Sequence, residues 1–284
     1  MNSILVATDF FTRSDRALRR AVLIARRVGA ALTLLHVVDA DQPERLVASD
    51  RSETFALLDD AASTFRAQDA IAAEPLVVVG DVDSAILAGA DEADAGLIIL
   101  GAHRKRARDV FTGTVVERVL RRVQRPLLVA TEPPAAPYRK SLLALDLDDA
   151  SKAAGRAAVA MGILENTDVV VMHAFDTPGA GMMRRAGENG AVADYVQGER
   201  HVAVERLQDL AAEIGLPPAK RRVVALNGTP ARAILETARS GGADLIVMGS
   251  NQRTGFERLL IGSVAEDVIR EGVRDILIVP VTDS

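Results

Sequence analysis

The chain has 284 residues, 49% of them hydrophobic and 26% charged, with a formal net charge of -5 and no cysteine. That length suits two ordinary domains, and the missing cysteines exclude disulfides, thiolate nucleophiles, iron–sulfur clusters and cysteine-ligated zinc. The acidic balance argues against a nucleic-acid partner, and 3% aromatic residues with no tryptophan supply no platform for stacked bases.

The first apolar run, Ile4-Leu-Val-Ala7, predicts a strand that leads into Asp9. No basic segment followed by a long apolar stretch precedes it, so no secretory leader is expected. No run reaches membrane-spanning length, and the expectation is a cytoplasmic protein without a membrane partner. Ala17, Leu18, Ala21, Val22, Ala25 and Val28 share one helical stripe, which Gly29 ends. Further strands are predicted at 31–38, 76–80, 96–101 and 127–131. Leu97-Ile-Ile-Leu100 is apolar on both faces, as in a parallel sheet covered by helices on both sides. Glu132-Pro-Pro-Ala-Ala-Pro137 is a short, stiff linker. Beyond it, strands are predicted at 141–146, 168–174, 222–227, 244–249 and 276–281. Ala203, Leu207, Leu210, Ala211 and Ile214 form a second stripe ended by Gly215, and Thr229-Pro230 places a cap residue before a first-turn proline.

The chain repeats itself. Ile4-Leu-Val-Ala-Thr-Asp9 matches Leu142-Leu-Ala-Leu-Asp146, and Leu32-Thr-Leu-Leu-His-Val-Val-Asp39 matches Val169-Val-Val-Met-His-Ala-Phe-Asp176. Gly80-Asp-Val-Asp-Ser-Ala-Ile-Leu87 matches Gly228-Thr-Pro-Ala-Arg-Ala-Ile-Leu235, and Ala95-Gly-Leu-Ile-Ile-Leu-Gly101 matches Ala243-Asp-Leu-Ile-Val-Met-Gly249. Arg125-Pro-Leu-Leu-Val-Ala matches Arg274-Asp-Ile-Leu-Ile-Val. The order is kept throughout, so two homologous domains are expected at 1–134 and 138–284. Each alternates five strands with four helices, an α/β, doubly wound, Rossmann-like domain with a mostly parallel five-stranded sheet flanked by helices. Ligands of such sheets bind beyond the carboxyl ends of the strands, where strand order reverses. Asp9 and Asp146 end the first strands, and Gly101 and Gly249 the fourth.

The loop from Met248 to the helix at Ser263 carries glycines at 249, 255 and 262. A glycine before a helix start leaves the positive N-terminal end open to an anion. Ser263-x-x-Glu266 and Thr114-x-x-Glu117 both match a capping box, which explains the hydroxyl residues without a ligand. His36 and His173 end the second strands and read as packed, hydrogen-bonded side chains. The histidines lack metal-ligand spacing. The basic run His103-Arg-Lys-Arg-Ala-Arg108 reads as a solvated loop, with a side-chain anion site as the alternative. Met182 and Met183, in the loop-like stretch 176–190, could fold over an apolar ligand.

With these segments in place, the chain resembles the universal stress protein family in its tandem form. The resemblance rests on strand ends Asp9 and Asp146, the His-x-x-Asp ends of the second strands, the Gly-x-x-x-x-Ala-Ile-Leu segments and the loop after the fourth strand. It implies an adenine-nucleotide alpha-hydrolase-like fold and pairing of the two domains as an intramolecular pseudo-dimer, with a homo-oligomer of such units as a further option. The family's ATP-binding branch carries Gly, two residues, Gly, nine residues, then Gly with Ser or Thr. Here Gln252 replaces the second glycine in the second half. In the first half Arg104 replaces it, and eight residues rather than nine precede Gly113-Thr114.

The resemblance implies ATP, with or without magnesium, held in the second domain by Asp146, Ala174, Met248, Gly249, Asn251, Arg253, Gly262, Ser263 and Val264. The first domain carries a degenerate counterpart at Asp9, Gly101, Arg104, Gly113 and Thr114. No catalytic constellation is visible: neither a nucleophile elbow, nor a Walker-type Gly-Lys-Ser/Thr, nor a dinucleotide fingerprint. The expected function is a cytoplasmic stress-response sensor or switch that binds an adenine nucleotide. The alternative is an interaction scaffold that binds none.

Overall fold

The computed structural model describes residues 1–102, 114–177, 189–216, 220–226, 228–251, 262–272 and 274–281. The first half runs β1 (Ser3–Ala7), α1 (Thr12–Val28), β2 (Ala31–Val38), α2 (Glu44–Asp69), β3 (Ala73–Val79), α3 (Val82–Glu92), β4 (Leu97–Gly101), α4 (Val115–Arg122) and β5 (Leu127–Ala130). The second runs β6 (Lys140–Ala144), α5 (Asp149–Ala160), β7 (Asp168–Phe175), α6 (Asn189–Glu213), β8 (Lys220–Ala225), α7 (Pro230–Gly241), β9 (Leu245–Asn251), α8 (Ser263–Glu271) and β10 (Asp275–Val281).

All ten strands join one sheet in the order β3-β2-β1-β4-β5-β10-β9-β6-β7-β8. Pairing is parallel within each half and antiparallel between β5 and β10, where Leu128 faces Leu277. Alternation along the strands divides the core into two layers. Ile4, Val6 and Leu277 face the layer under α1, α2, α5 and α6. Leu5, Ile276 and Ile278 face the layer under α3, α4, α7 and α8. Both layers run unbroken across the two halves, so the apolar runs bury side chains on both faces of the sheet.

Two strands start two or more residues before their apolar runs. β3 begins at Ala73 and includes Pro75, and β8 begins at Lys220 with Arg221 and Arg222 following. Both are the outermost strands of the sheet. A proline there breaks no inner ladder.

The seam between the halves holds buried charge. Arg20 of α1 and Asp275 of β10 pair at 2.8 Å, with side chains 7% and 1% exposed. The Tyr138 hydroxyl donates to the same Asp275 oxygen at 2.7 Å. The other carboxylate oxygen accepts the Thr131 N–H at 2.8 Å. Arg20 also donates to the Ala136 carbonyl at 3.0 Å and lies over the Tyr138 ring, 4.0 Å from its centre. One half, the linker and the other half thus converge on a single carboxylate.

Candidate functional site

In both halves the strand order turns back between the first and fourth strands. A cavity opens there at the carboxyl ends, of about 160 Å³ in the first half and about 240 Å³ in the second. Asp146, Ala174, Met248, Gly249, Gly262, Ser263 and Val264 all line the second cavity. Asn251 closes β9, while Arg253 and Gln252 lie outside the described residues. In the first half Asp9 and Gly101 line the cavity. Thr114 lies instead on the cleft between the halves, and Arg104 and Gly113 fall outside the described residues. The basic run from His103 to Arg108 falls outside them too, as do Met182 and Met183.

The local chemistry of the second cavity begins at α5. Asp148 caps this helix by accepting the Ser151 N–H at 2.8 Å. The Ser151 hydroxyl in turn accepts the Asp146 N–H at 3.0 Å, which fixes the backbone carrying the Asp146 carboxylate. Partial burial pushes the Asp146 carboxyl above its ordinary range; the nearby His173 opposes this and Asp148 adds to it. The Asp146 side chain is 78% exposed, so this shift has little energetic weight.

His36 and His173 are equivalent. Each places Nδ1 on a carbonyl that ends the first strand of its half, Thr8 at 2.8 Å and Leu145 at 3.0 Å. A carbonyl only accepts, so Nδ1 carries the proton and Nε2 remains an acceptor in the neutral ring. Both are packed side chains, as the sequence indicates.

The glycines of the fourth strands serve packing. A Cβ on Gly101 would lie 2.6 Å from the Arg13 carbonyl oxygen, and one on Gly249 would lie 3.0 Å from the Ala154 Cβ. Their absence lets the first helix of each half close on the strand end. Gly262 differs, since a Cβ there would meet nothing within 4 Å.

The two helix starts behind the cavities diverge. In α4 the expected capping box forms: Thr114 Oγ1 accepts the Glu117 N–H at 3.2 Å, and Glu117 Oε2 accepts the Thr114 N–H at 2.8 Å. In α8 the expected box between Ser263 and Glu266 does not form. Gly262 takes the cap position without a side-chain bond, Ser263 becomes the first helical residue, and Glu266 pairs with Arg270 at 2.7 Å. Among the described residues no side chain caps the helix N-terminus that the second cavity faces; such a helix start presents N–H donors and a positive dipole end. Among the described residues, nothing occupies the space a Cβ at Gly262 would take.

Sequence reasoning passed over Ser151, Met172, Ile234 and Ser250, which also line the wall. Asp148-x-x-Ser151 was legible as a cap. Ser250 follows the site glycine on β9 and gave no separate signal. Among the described residues, no group of three or more histidines and carboxylates could hold a metal ion, and no helix is long and apolar enough to cross a membrane.

The model of the universal stress protein family matches residues 1–131 and again 137–280. A universal stress protein of Methanocaldococcus jannaschii is 31% identical over 142 residues, which covers 50% of this chain and 82% of its own. One from Thermus aquaticus is 30% identical over 152 residues, which covers 50% of this chain and 98% of its own. A solved universal stress protein from Archaeoglobus fulgidus covers 99% of both chains at 19% identity with a TM-score of 0.71. At that identity the structural likeness speaks for the fold.

Proposed function

Because the chain belongs to the universal stress protein family and carries its domain twice, we propose that it binds an adenine nucleotide at one site, in the second half, as a cytoplasmic sensor or switch. The domains are taken as 1–134 and 138–284, joined as an intramolecular pseudo-dimer. The observation that carries the reading is the start of α8 at Gly262, which no described side chain caps, on a cavity at the switch point of the sheet. Phosphates would meet the N–H groups of Ser263 and Val264, and the base would lie between Ala174 and Met248. Asn251 and Arg253 are assigned to the phosphate end by resemblance alone. Magnesium, if bound with ATP, would sit near Asp146.

A second reading, an interaction scaffold without nucleotide, is favoured by Gln252, which replaces the second glycine of the ATP-binding branch's pattern in the sequence. Titration of the purified protein with ATP and magnesium, together with acid extraction of any co-purified nucleotide, separates the two. Gly262→Ala has free space and should leave folding unchanged. Gly262→Asp should abolish binding by setting a carboxylate against the phosphates. No heat and no extracted nucleotide would leave the scaffold reading.

A further inference from the structure

The first-half cavity has an apolar wall, with Ile86, Leu100 and Val115 on it, and the start of α4 beside it carries the closed capping box, whose Thr114 and Glu117 lie on the neighbouring cleft between the halves. Glu117 is 5% exposed and sits in the first turn of α4, where it already accepts the cap N–H. A phosphate approaching this helix start would meet a buried carboxylate, and like charges at close range repel. Beside the apolar wall, His36 is held on two sides. Its Nδ1 is bound to the Thr8 carbonyl. Its face stacks on Phe10, with centroids 4.9 Å apart and planes 30° apart.

Phe10 is unusual in itself. It is 48% exposed and holds φ at 58°, a left-handed conformation that bulky residues rarely adopt. The repeat has Leu147 at the matching position, and Asp148, a helix cap, where the first half exposes Phe11. The first half has therefore given up a cap and accepted backbone strain where an aromatic ring steadies His36. The Thr8 and Asp9 side chains hold this turn by accepting the Phe10 and Phe11 N–H groups, each at 3.1 Å, and such strained positions cluster at functional sites.

We propose that this cavity is a second binding site, for an uncharged, ring-sized organic molecule with a hydrogen-bond donor on its edge, and that it excludes phosphates. The volume of about 160 Å³ matches one small ring; an engineered apolar cavity of about 150 Å³ takes benzene. Nε2 of His36 supplies the acceptor, and Phe10 acts as a positioning residue. This reading is independent of nucleotide binding in the second half.

Indole is a suitable probe, being uncharged and carrying one N–H donor. Titration into protein with labelled isoleucine and valine methyls should shift Val82, Ile86 and Val115. Val82 stands exposed at the rim, so Val82→Trp can fill the entrance without disturbing the core. It should weaken indole by at least about tenfold, the equivalent of 1.4 kcal/mol. Phe10→Asn suits the left-handed backbone and should raise the melting temperature by about 2–4 °C while also weakening indole. That combination separates positioning from structural support, and it stands as the test should Val82→Trp fold poorly. The proposal is overturned if indole leaves the three methyls unmoved, or if its affinity survives both substitutions. It is equally overturned if ATP moves those methyls in the Gly262→Asp protein, where the second cavity is blocked.

Discussion

Replacing Asp275 by Asn removes one charge from the seam and almost no volume. Every group around that carboxylate is a donor: the Arg20 Nε–H and Tyr138 O–H on one oxygen, the Thr131 and Glu132 N–H groups on the other. Whichever way an amide is turned, its NH₂ faces two donors. Arg20 is left 7% exposed and without its counter-charge. Breaking a buried pair by removing one partner costs about 3–5 kcal/mol, a large share of the roughly 5–15 kcal/mol that holds a folded protein. Urea unfolding at pH 7, followed by far-UV circular dichroism, should show a loss of this size, with a melting temperature lower by on the order of 10 °C. Arg20→Met should cost a similar amount. The double variant should cost less than the sum, since neither charge is then stranded. A loss below about 1 kcal/mol for Asp275→Asn would refute the reasoning, because the pair would then behave like a solvated surface pair.

Gly101→Ala should destabilise by about 1–3 kcal/mol, because its Cβ meets the Arg13 backbone at 2.6 Å. Gly249→Ala should cost less, since at 3.0 Å its neighbour is the Ala154 methyl; equal melting temperatures would contradict the packing role. Thr114→Ala removes a formed cap and should cost about 1 kcal/mol. Ser263→Ala removes none and should cost a few tenths at most, so equal losses in urea would show that the two helix starts are alike. Asp146→Asn tests the raised carboxyl: a folded-state pKa above the unfolded one means wild-type stability falls as pH rises through the carboxylate range. Its side chain is 78% exposed, so the variant should gain only slightly on wild type at pH 7 and lose the advantage below about pH 3; a large melting difference of either sign would count against it.

Much of this architecture was legible because parallel strands under two helical layers must be apolar on both faces. Leu97-Ile-Ile-Leu100 and its repeat announce themselves for that reason. Edge strands escape the rule, which is why β3 and β8 were read short of Pro75 and Arg221. The site glycines were legible as glycines but not as to purpose. Gly101 and Gly249 also provide close packing against α1 and α5, and that depends on a neighbouring helix which spacing does not reveal. The identical Thr/Ser-x-x-Glu patterns gave one expectation for two outcomes. Glu266 has Arg270 one turn on and takes it as a partner, and Gly262 moves the cap back by one residue. The seam network joins residues 255 apart in sequence. Its one local trace was an arginine at position 20 between the buried Ala17 and Ile24, one turn from each. A charge on a buried stripe demands a partner, but nothing local says which.

The pairing of β5 with β10 explains why the two halves are free to differ. Leu128 and Leu277 occupy matching positions in the repeat and face each other across the seam, with Leu127 opposite Ile278 and Val129 opposite Ile276. That is the self-complementary contact of a two-fold dimer, made here within one chain. The linker breaks the symmetry, because it crosses the seam on one side only. The counterpart of Arg20 is Ala157 and that of Asp275 is Pro126, so the buried charge exists only where Thr131, Glu132 and Tyr138 pass. In a homodimer one sequence must serve both sites, and every change at one is a change at the other. Fusion removes that constraint while keeping the interface. The closed start of α4 and the start of α8, which no described side chain caps, are the kind of divergence it permits.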